Sequence, residues 1–443
     1  MSGDLSELFK ELNINNADEL FKDIPESIRT KTLGLPNGMD EDEVRRVAGE
    51  YASLNKTVNQ LHSFLGFGLY NHFVPAAVGN IINRNEFLTS YTPYQAEISQ
   101  GIMQALFEYQ SMAAELLQMD AVNSSMYDMS TSLGEAARMA KSITGKDEFL
   151  IPKYISSNKK AVLENYAKGA DIRLREVEFD ERGMIDLSSL ENSINENTSG
   201  VYAEYPNMFG IIDTNIPRIK EIIGEDRMFI AGVNPISLGV LSPPGKFGAD
   251  IAIGEGQVLG LGLNFGGPLM GIFATRAQFI RKMPGKIMGI TEDHDGKTAF
   301  SMILQTREQH IRREKAVTNM TSNQALMAIA SAAYLSLLGD SGLRKIGEVN
   351  MGRTKELIEI SREFAITLPY EGSPVFNEFL IRLNESKTFV NRIAKKFNLI
   401  PGYILGKEYG FNDRNQVNIV VNVTERNTDD DFNAFREFLR EVA

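Results

Sequence analysis

The sequence predicts an α/β protein: a large domain on a mostly parallel central sheet, then a small α+β domain. Three observations predict it. Between Phe149 and Ala274, short apolar runs alternate with helical segments. Right-handed crossovers turn that pattern into parallel strands with helices on both faces. Past Thr321 the order becomes long helical runs, then strand, helix, strand, helix. The length of 443 residues, 43% of them hydrophobic, allows more than one domain and a large core.

Taken in order, residues 1–75 are predicted as an N-terminal helical arm. Met39–Tyr51, with acids in its first turn, is one of its helices. Phe64–Ala76 is rich in glycine and aromatics without a period, the composition of an ordered loop packed on something. The large domain is assigned to 76–325. A long helix is expected from Tyr94, because Ile98, Ile102, Ala105, Leu106, Tyr109, Ala113, Leu116 and Leu117 recur at helical spacing. Strands are predicted at 149–151, 172–179, 200–205 and 227–231, with helices at 158–168, 187–194 and 216–223 between them. Two further strands, Ile251–Ile253 and Leu269–Ala274, enclose a glycine-rich turn. The small domain, 326–443, is preceded and entered by helices Asn323–Leu338 and Gly342–Phe364. Strand 378–383, a helix to Phe397, strand 416–423 and a last helix from Asp430 complete it.

Composition excludes several classes. The formal charge of −12 opposes sequence-independent nucleic-acid binding, which needs a basic surface. Without cysteine there is no disulfide, thiolate metal site or Cys nucleophile. The opening residues are acidic and polar, unlike a targeting peptide. No apolar run approaches the roughly 20 residues of a membrane span, so a cytoplasmic protein without membrane contact is expected. The four histidines, His62, His72, His294 and His310, follow no metal-binding spacing, so no metal is expected. Asp293–Gly296 has the composition of a turn. Neither a G-x-S-x-G elbow nor a phosphate-binding P-loop occurs.

Four segments can carry chemistry. Ser130–Ala140 opens an alanine-rich helix with Thr131, Ser132 and Glu135; Ser132 and Glu135 have capping-box spacing. Such a helix start is either a plain cap or a phosphate site, since free N–H groups and the dipole favour an anion. Gly254–Gly260 is glycine-rich but spaced G-x-G-x-x-x-G, unlike a dinucleotide fingerprint. The loop around Tyr91, Thr92, Tyr94 and Gln95 offers hydroxyls and phenols for ligand contacts or for packing. In Gln305–Lys315, read as a helix, Arg307, Ile311 and Glu314 share a face. There, Arg312 and Arg313 can bind an anion or face another subunit.

Tyr91–Gly101, Gly254–Pro268 and Gln305–Lys315 together resemble the alpha chain of the split P-protein of the glycine cleavage system, over nearly the whole sequence. The resemblance implies the fold type I of pyridoxal-phosphate (PLP) enzymes. It implies a heteromeric glycine dehydrogenase (decarboxylating) in which a beta chain, subunit 2, carries the cofactor lysine. Lysine is absent between Lys246 and Lys282, the stretch where such folds place it; Gln257 or Val258 stands near the equivalent position. Ala231, in Ala231–Asn234, stands where the ring-nitrogen acid is expected.

PLP is therefore expected in the partner, not covalently in this chain, and no catalytic residue is expected here. Thr131, Ser132, Glu135, Gln257 and Val258 would be vestigial cofactor contacts. Tyr91, Thr92, Tyr94 and Gln95 would support the partner's active site, with Arg312 and Arg313 at the interface. Implied partners are subunit 2, the lipoylated H-protein that receives the aminomethyl group, the wider system's T- and L-proteins, and the substrate glycine. Two alternatives stay open: a structural or regulatory pseudoenzyme, and a stand-alone PLP enzyme using Lys246 or Lys282.

Overall fold

The structure is a computed structural model that describes residues 5–30, 33–411 and 415–443. The acidic start, Met1–Asp4, lies outside them. The chain divides into two compact units, Met1–Thr57 and Val58–Ala443. In the first, helix Glu41–Ser53 is capped by Asp40, whose carboxylate accepts from Glu43 N at 2.8 Å. None of the described side chains in this unit is buried, and Leu5, Leu20, Ile28, Leu33, Tyr51 and Leu54 are exposed.

The second unit is built on a seven-stranded sheet. Its strands are β1 (Ala121–Val122), β2 (Glu148–Pro152), β3 (Arg173–Val177), β4 (Thr198–Tyr205), β5 (Met228–Val233), β6 (Ile251–Glu255) and β7 (Gly271–Thr275). Their order is β1-β7-β6-β5-β4-β2-β3, with only β7 antiparallel to its neighbours. Strands β4, β5, β6 and β7 are buried at every residue because both faces are covered, whereas edge strand β3 exposes Arg173, Arg175 and Glu176. Along β4, Val201 and Ala203 enter one core cluster and Tyr202 the other. In β5, Phe229, Ala231 and Val233 alternate with Met228 and Ile230 in the same way.

Helix α1 (Gln100–Leu117) packs Met103, Leu106, Tyr109, Ala113 and Leu117 inward. It begins after a 3₁₀ turn at Ala96–Ile98, not at Tyr94. Pro93 disfavours helix at Thr92, and Ile98, expected on the buried face, is 81% exposed. Helix α2 (Met129–Thr144) crosses from β1 to β2, and α3 (Ser157–Gly169) packs on it. A hairpin unforeseen in the sequence, β8 (Ile287–Glu292) with β9 (Thr298–Ile303), extends from this body. Asp293 closes its turn by accepting from Asp295 N and Lys297 N, 2.9 Å each.

A helical run, α4 (Ala325–Glu363), leads onward and is interrupted at Gly339, where φ is +59°. The break falls between the two predicted helices. Among the described residues, this helix has the length and apolar composition to cross a membrane. Its first half instead lies in the core: Ala328, Ala330, Ser331 and Tyr334 are buried. Strands β10 (Glu378–Leu383), β11 (Tyr403–Ile404) and β12 (Val417–Asn422) form an antiparallel sheet in the order β10-β12-β11. Helices α5 (Lys387–Lys396) and α6 (Asp429–Val442) cover it, with Phe435 and Phe438 fully buried. Phe64 and Leu357 belong to the same cluster, which continues the structure of the second unit.

Candidate functional site

The C-terminal ends of β4, β5 and β6 converge where α2 and α3 begin, the crevice in which open α/β sheets bind ligands. Here the crevice is nearly filled. A cavity of about 50 Å³ remains, lined by Met129, Lys159, Glu204, Val233, Glu255, Val258 and Glu378, with loop residues Phe67 and Tyr70. Ordinary small-ligand pockets hold about 300 Å³ or more.

Three buried carboxylates and one ammonium face this space. Glu204, at the end of β4, sits 2.6 Å from Lys159 Nζ and accepts from Tyr202 Oη at 2.8 Å. Glu378, the first residue of β10, accepts from Phe67 N at 2.5 Å and Tyr70 Oη at 2.8 Å. Glu255, closing β6, accepts from Met129 N at 3.0 Å, Met270 N at 3.1 Å and Gln257 N at 3.2 Å. Burial pushes Glu255 and Glu378 each up to about 7, against the hydrogen bonds that favour ionisation. Burial and the neighbouring Glu378 hold the Tyr70 phenol well above its ordinary value.

The start of α2 differs from the predicted capping. Asp128 is the cap: its carboxylate accepts from Thr131 N at 2.7 Å, and Thr131 Oγ1 accepts from Asp128 N at 3.1 Å. Ser132 lies inside the helix and donates to Asp128 O at 2.8 Å. Glu135 is buried a turn further on, accepting from Thr318 Oγ1 at 2.7 Å and Arg138 Nη1 at 3.2 Å. The Ser132–Glu135 spacing therefore does not form a capping box. Asp128 takes the cap because its extended backbone directs the short carboxylate at Thr131 N.

Gln257 is buried and fastens the loop at Tyr70: its Oε1 accepts from Tyr70 N at 3.0 Å, and its Nε2 donates to Tyr70 O at 3.0 Å and Leu261 O at 2.9 Å. Val258 lines the cavity and Ala231 is buried in β5. Lys246 and Lys282 are both outside the cavity lining. Lys282 instead reaches Ser142 Oγ at 3.2 Å. An amine does reach the cavity, Lys159, which the sequence analysis did not single out. It pairs with Glu204 at 2.6 Å.

PLP needs room, an anion seat, an amine and a ring-nitrogen acid. Here about 50 Å³ is free, the Asp128 and Glu255 carboxylates take N–H groups at the start of α2, and Val258 and Ala231 stand where the resemblance implies the amine and the ring-nitrogen acid. The residues do not fit the cofactor.

Two of the three sequence motifs meet elsewhere. Tyr94 lies over Lys286 Nζ at 5.7 Å and against the His310 ring at 5.7 Å. Lys286 is buried with Glu308 at 3.4 Å and donates to Thr321 O at 2.5 Å. Tyr91 and Gln95 are exposed, Thr92 half-buried; none of the four loop residues lines the cavity. Gln305–Lys315 is not a continuous helix. Arg307 turns inward to the carbonyls of Met283, Gly285 and Leu304. Leu304 and Arg313 adopt φ of +53° and +54°, which breaks the run into short turns. Arg312 and Arg313 are exposed. Asp293, His294 and Asp295 lie within 4.8 Å of one another, all exposed on the hairpin turn.

A family model described as the glycine cleavage system P-protein matches residues 2–439. A probable glycine dehydrogenase (decarboxylating) subunit 1 of Thermococcus onnurineus is 44% identical over 440 residues, covering 99% of this chain and 97% of that protein. The protein of the same name from Thermoplasma volcanium is 47% identical over 393 residues, 89% of each chain. The inhibitor-bound crystal structure of a glycine decarboxylase (P-protein) of the glycine cleavage system superposes with a TM-score of 0.88 at 34% identity, covering 100% of this chain and 99% of that one. A cysteine desulfurase from Thermococcus onnurineus shares the fold, with a TM-score of 0.61 at 15% identity over 92% and 99% of the two chains. The fold is that of the type I PLP-dependent enzymes.

Proposed function

Because the chain belongs to the glycine cleavage system P-protein family, we propose that it is the lysine-less half of a heteromeric glycine dehydrogenase (decarboxylating). A second, lysine-bearing subunit would hold PLP, and that cofactor would supply the electron sink for decarboxylating glycine. The aminomethyl product would pass to lipoylated H-protein, in the cytoplasm. The observation that supports the reading is the small cavity at the sheet's C-terminal edge, where about 50 Å³ is free among Glu204, Glu255 and Glu378.

The chain's contribution would be made at its surface. Tyr91 is 77% and Tyr94 47% exposed, while Pro93 between them is buried and anchors the loop. Phenols on an anchored loop are suited to orient a ligand held by a neighbour. Arg312 and Arg313 offer guanidinium forks to carboxylates of the partner. The first unit, residues 1–57, exposes many apolar side chains and buries none of its described residues, which suits a segment covered by another subunit.

The test is co-purification with the second subunit, then glycine-dependent CO2 release by each chain alone and by both. Activity is expected only from the pair. Replacing Tyr91 and Tyr94 with Phe should lower turnover of the pair at least several-fold without weakening its assembly. Full activity of this chain alone would refute the division of labour. Unchanged turnover in the double variant would favour the pure-scaffold alternative.

A further inference from the structure

The crevice at the sheet's C-terminal edge keeps about 50 Å³ of free space, and what fills the rest has a specific chemistry. The first N–H groups of a helix have no partner inside the helix, and their dipoles favour an anion. At the start of α2 two carboxylates meet that demand: Asp128 takes Thr131 N, and Glu255, 126 residues away, takes Met129 N at 3.0 Å. The same Glu255 carboxylate takes Gln257 N and Met270 N, the two ends of the turn in which the missing lysine would sit. One side chain thus occupies the anion seat and ties down the turn.

The surrounding walls are tight. A Cβ added at Gly256 would meet Met270 Cε at 2.2 Å, and one at Gly232 would meet Tyr202 Oη at 2.5 Å. Lys159, the amine in the cavity, is held by Glu204 at 2.6 Å.

We propose that the Glu255 carboxylate is a built-in replacement for a cofactor phosphate, seated at the start of α2, so that this chain excludes phosphate-bearing ligands from its own crevice. The exclusion does not depend on the missing lysine: restoring an amine at Val258 alone does not restore a cofactor site. This inference rests on the family assignment for the identity of the excluded ligand. Glycine turnover plays no part in its test, so a failure of pairing and a failure of the plug give different results.

The experiment measures thermal unfolding of the full chain with inorganic phosphate, with PLP, and with chloride at matched ionic strength. The wild-type midpoint should be the same in all three, apart from the general salt effect of phosphate. Glu255→Ala should unfold at a lower temperature in chloride and regain several degrees in phosphate beyond the wild-type response, because the vacated N–H groups accept the ion. A parallel arm treats Val258→Lys with PLP and borohydride; no reducible yellow adduct should form. The proposal is overturned if PLP raises the wild-type midpoint, if Glu255→Ala responds to phosphate no more than wild type, or if Val258→Lys alone takes up the cofactor. Should Glu255→Ala not fold, the wild-type and Val258→Lys arms still decide.

Discussion

Glu378→Gln is expected to make the protein more stable, and only above a defined pH. The buried Glu378 carboxyl has a folded-state pKa of about 7 against an ordinary value of 4.5. Burial is the main cause; Phe67 N, Tyr70 Oη and Lys159 oppose it, and Glu204 adds to it. A group whose pKa is raised on folding keeps its proton longer in the native state. Its stabilising contribution is complete below about pH 4.5 and is lost as pH rises through about 7. The difference of 2.5 pKa units, at about 1.4 kcal/mol each, amounts to roughly 3 kcal/mol. Glutamine is neutral at every pH and keeps the shape. Its oxygen can accept from Phe67 N, and the Tyr70 hydroxyl can turn to accept from the amide. The assay is urea unfolding of both proteins from pH 5 to pH 8. Glu255, which shares the range, is present in both and cancels. The variant's advantage should grow by about 1.4 kcal/mol per pH unit up to about pH 7 and then level off. A difference independent of pH would refute the claim that Glu378 folds as a neutral acid.

Two further substitutions probe the same region. Lys159→Met removes the cation beside Glu204 and leaves a buried carboxylate supported only by Tyr202; a loss of about 3–5 kcal/mol is expected in urea unfolding. Adding Glu204→Gln to that variant should recover much of the loss, and a double variant no better than the single one would contradict the pairing. Asp128→Ala should cost about 1 kcal/mol through the lost cap, whereas Ser132→Ala should cost less, because Ser132 caps nothing. The opposite ranking would contradict the capping geometry.

The fold was legible wherever local chemistry decides it. Alternating apolar strands buried on both faces, the break near Gly339 and strand 378–383 all follow from periodicity and glycine placement. Fine boundaries failed where a long-range contact prevailed. Gln100 is drawn into the β9 edge, accepting from Phe300 N at 2.8 Å and donating to Phe300 O at 2.9 Å, so α1 starts at the sheet and not at Tyr94. The helical spacing of Gln305–Lys315 gave way to three carbonyls that capture Arg307. The turn of Asp293–Gly296 was visible, but the hairpin around it was not, since its strands are largely exposed or half-buried and lack the continuous apolar run of the core strands.

Of the candidate site, the lack of lysine between Lys246 and Lys282 is read from one stretch of chain. The acids that fill the space come from three distant places, Glu204, Glu255 and Glu378, and only the folded topology brings them together. A signal was present: each is an acid at or next to the end of a largely apolar strand. Such an acid either reaches solvent or meets partners, and here the three meet buried N–H groups, the phenols of Tyr70 and Tyr202, and Lys159.

The central claim is that the cofactor of the assembled enzyme belongs to the partner and not to this chain. Borohydride reduction of the co-purified pair, followed by peptide mapping of the reduced pyridoxyl group, tests it most directly. The label should appear on one lysine of the second subunit and on none of this chain, Lys159 included. A stoichiometric label on any lysine of this chain would contradict it.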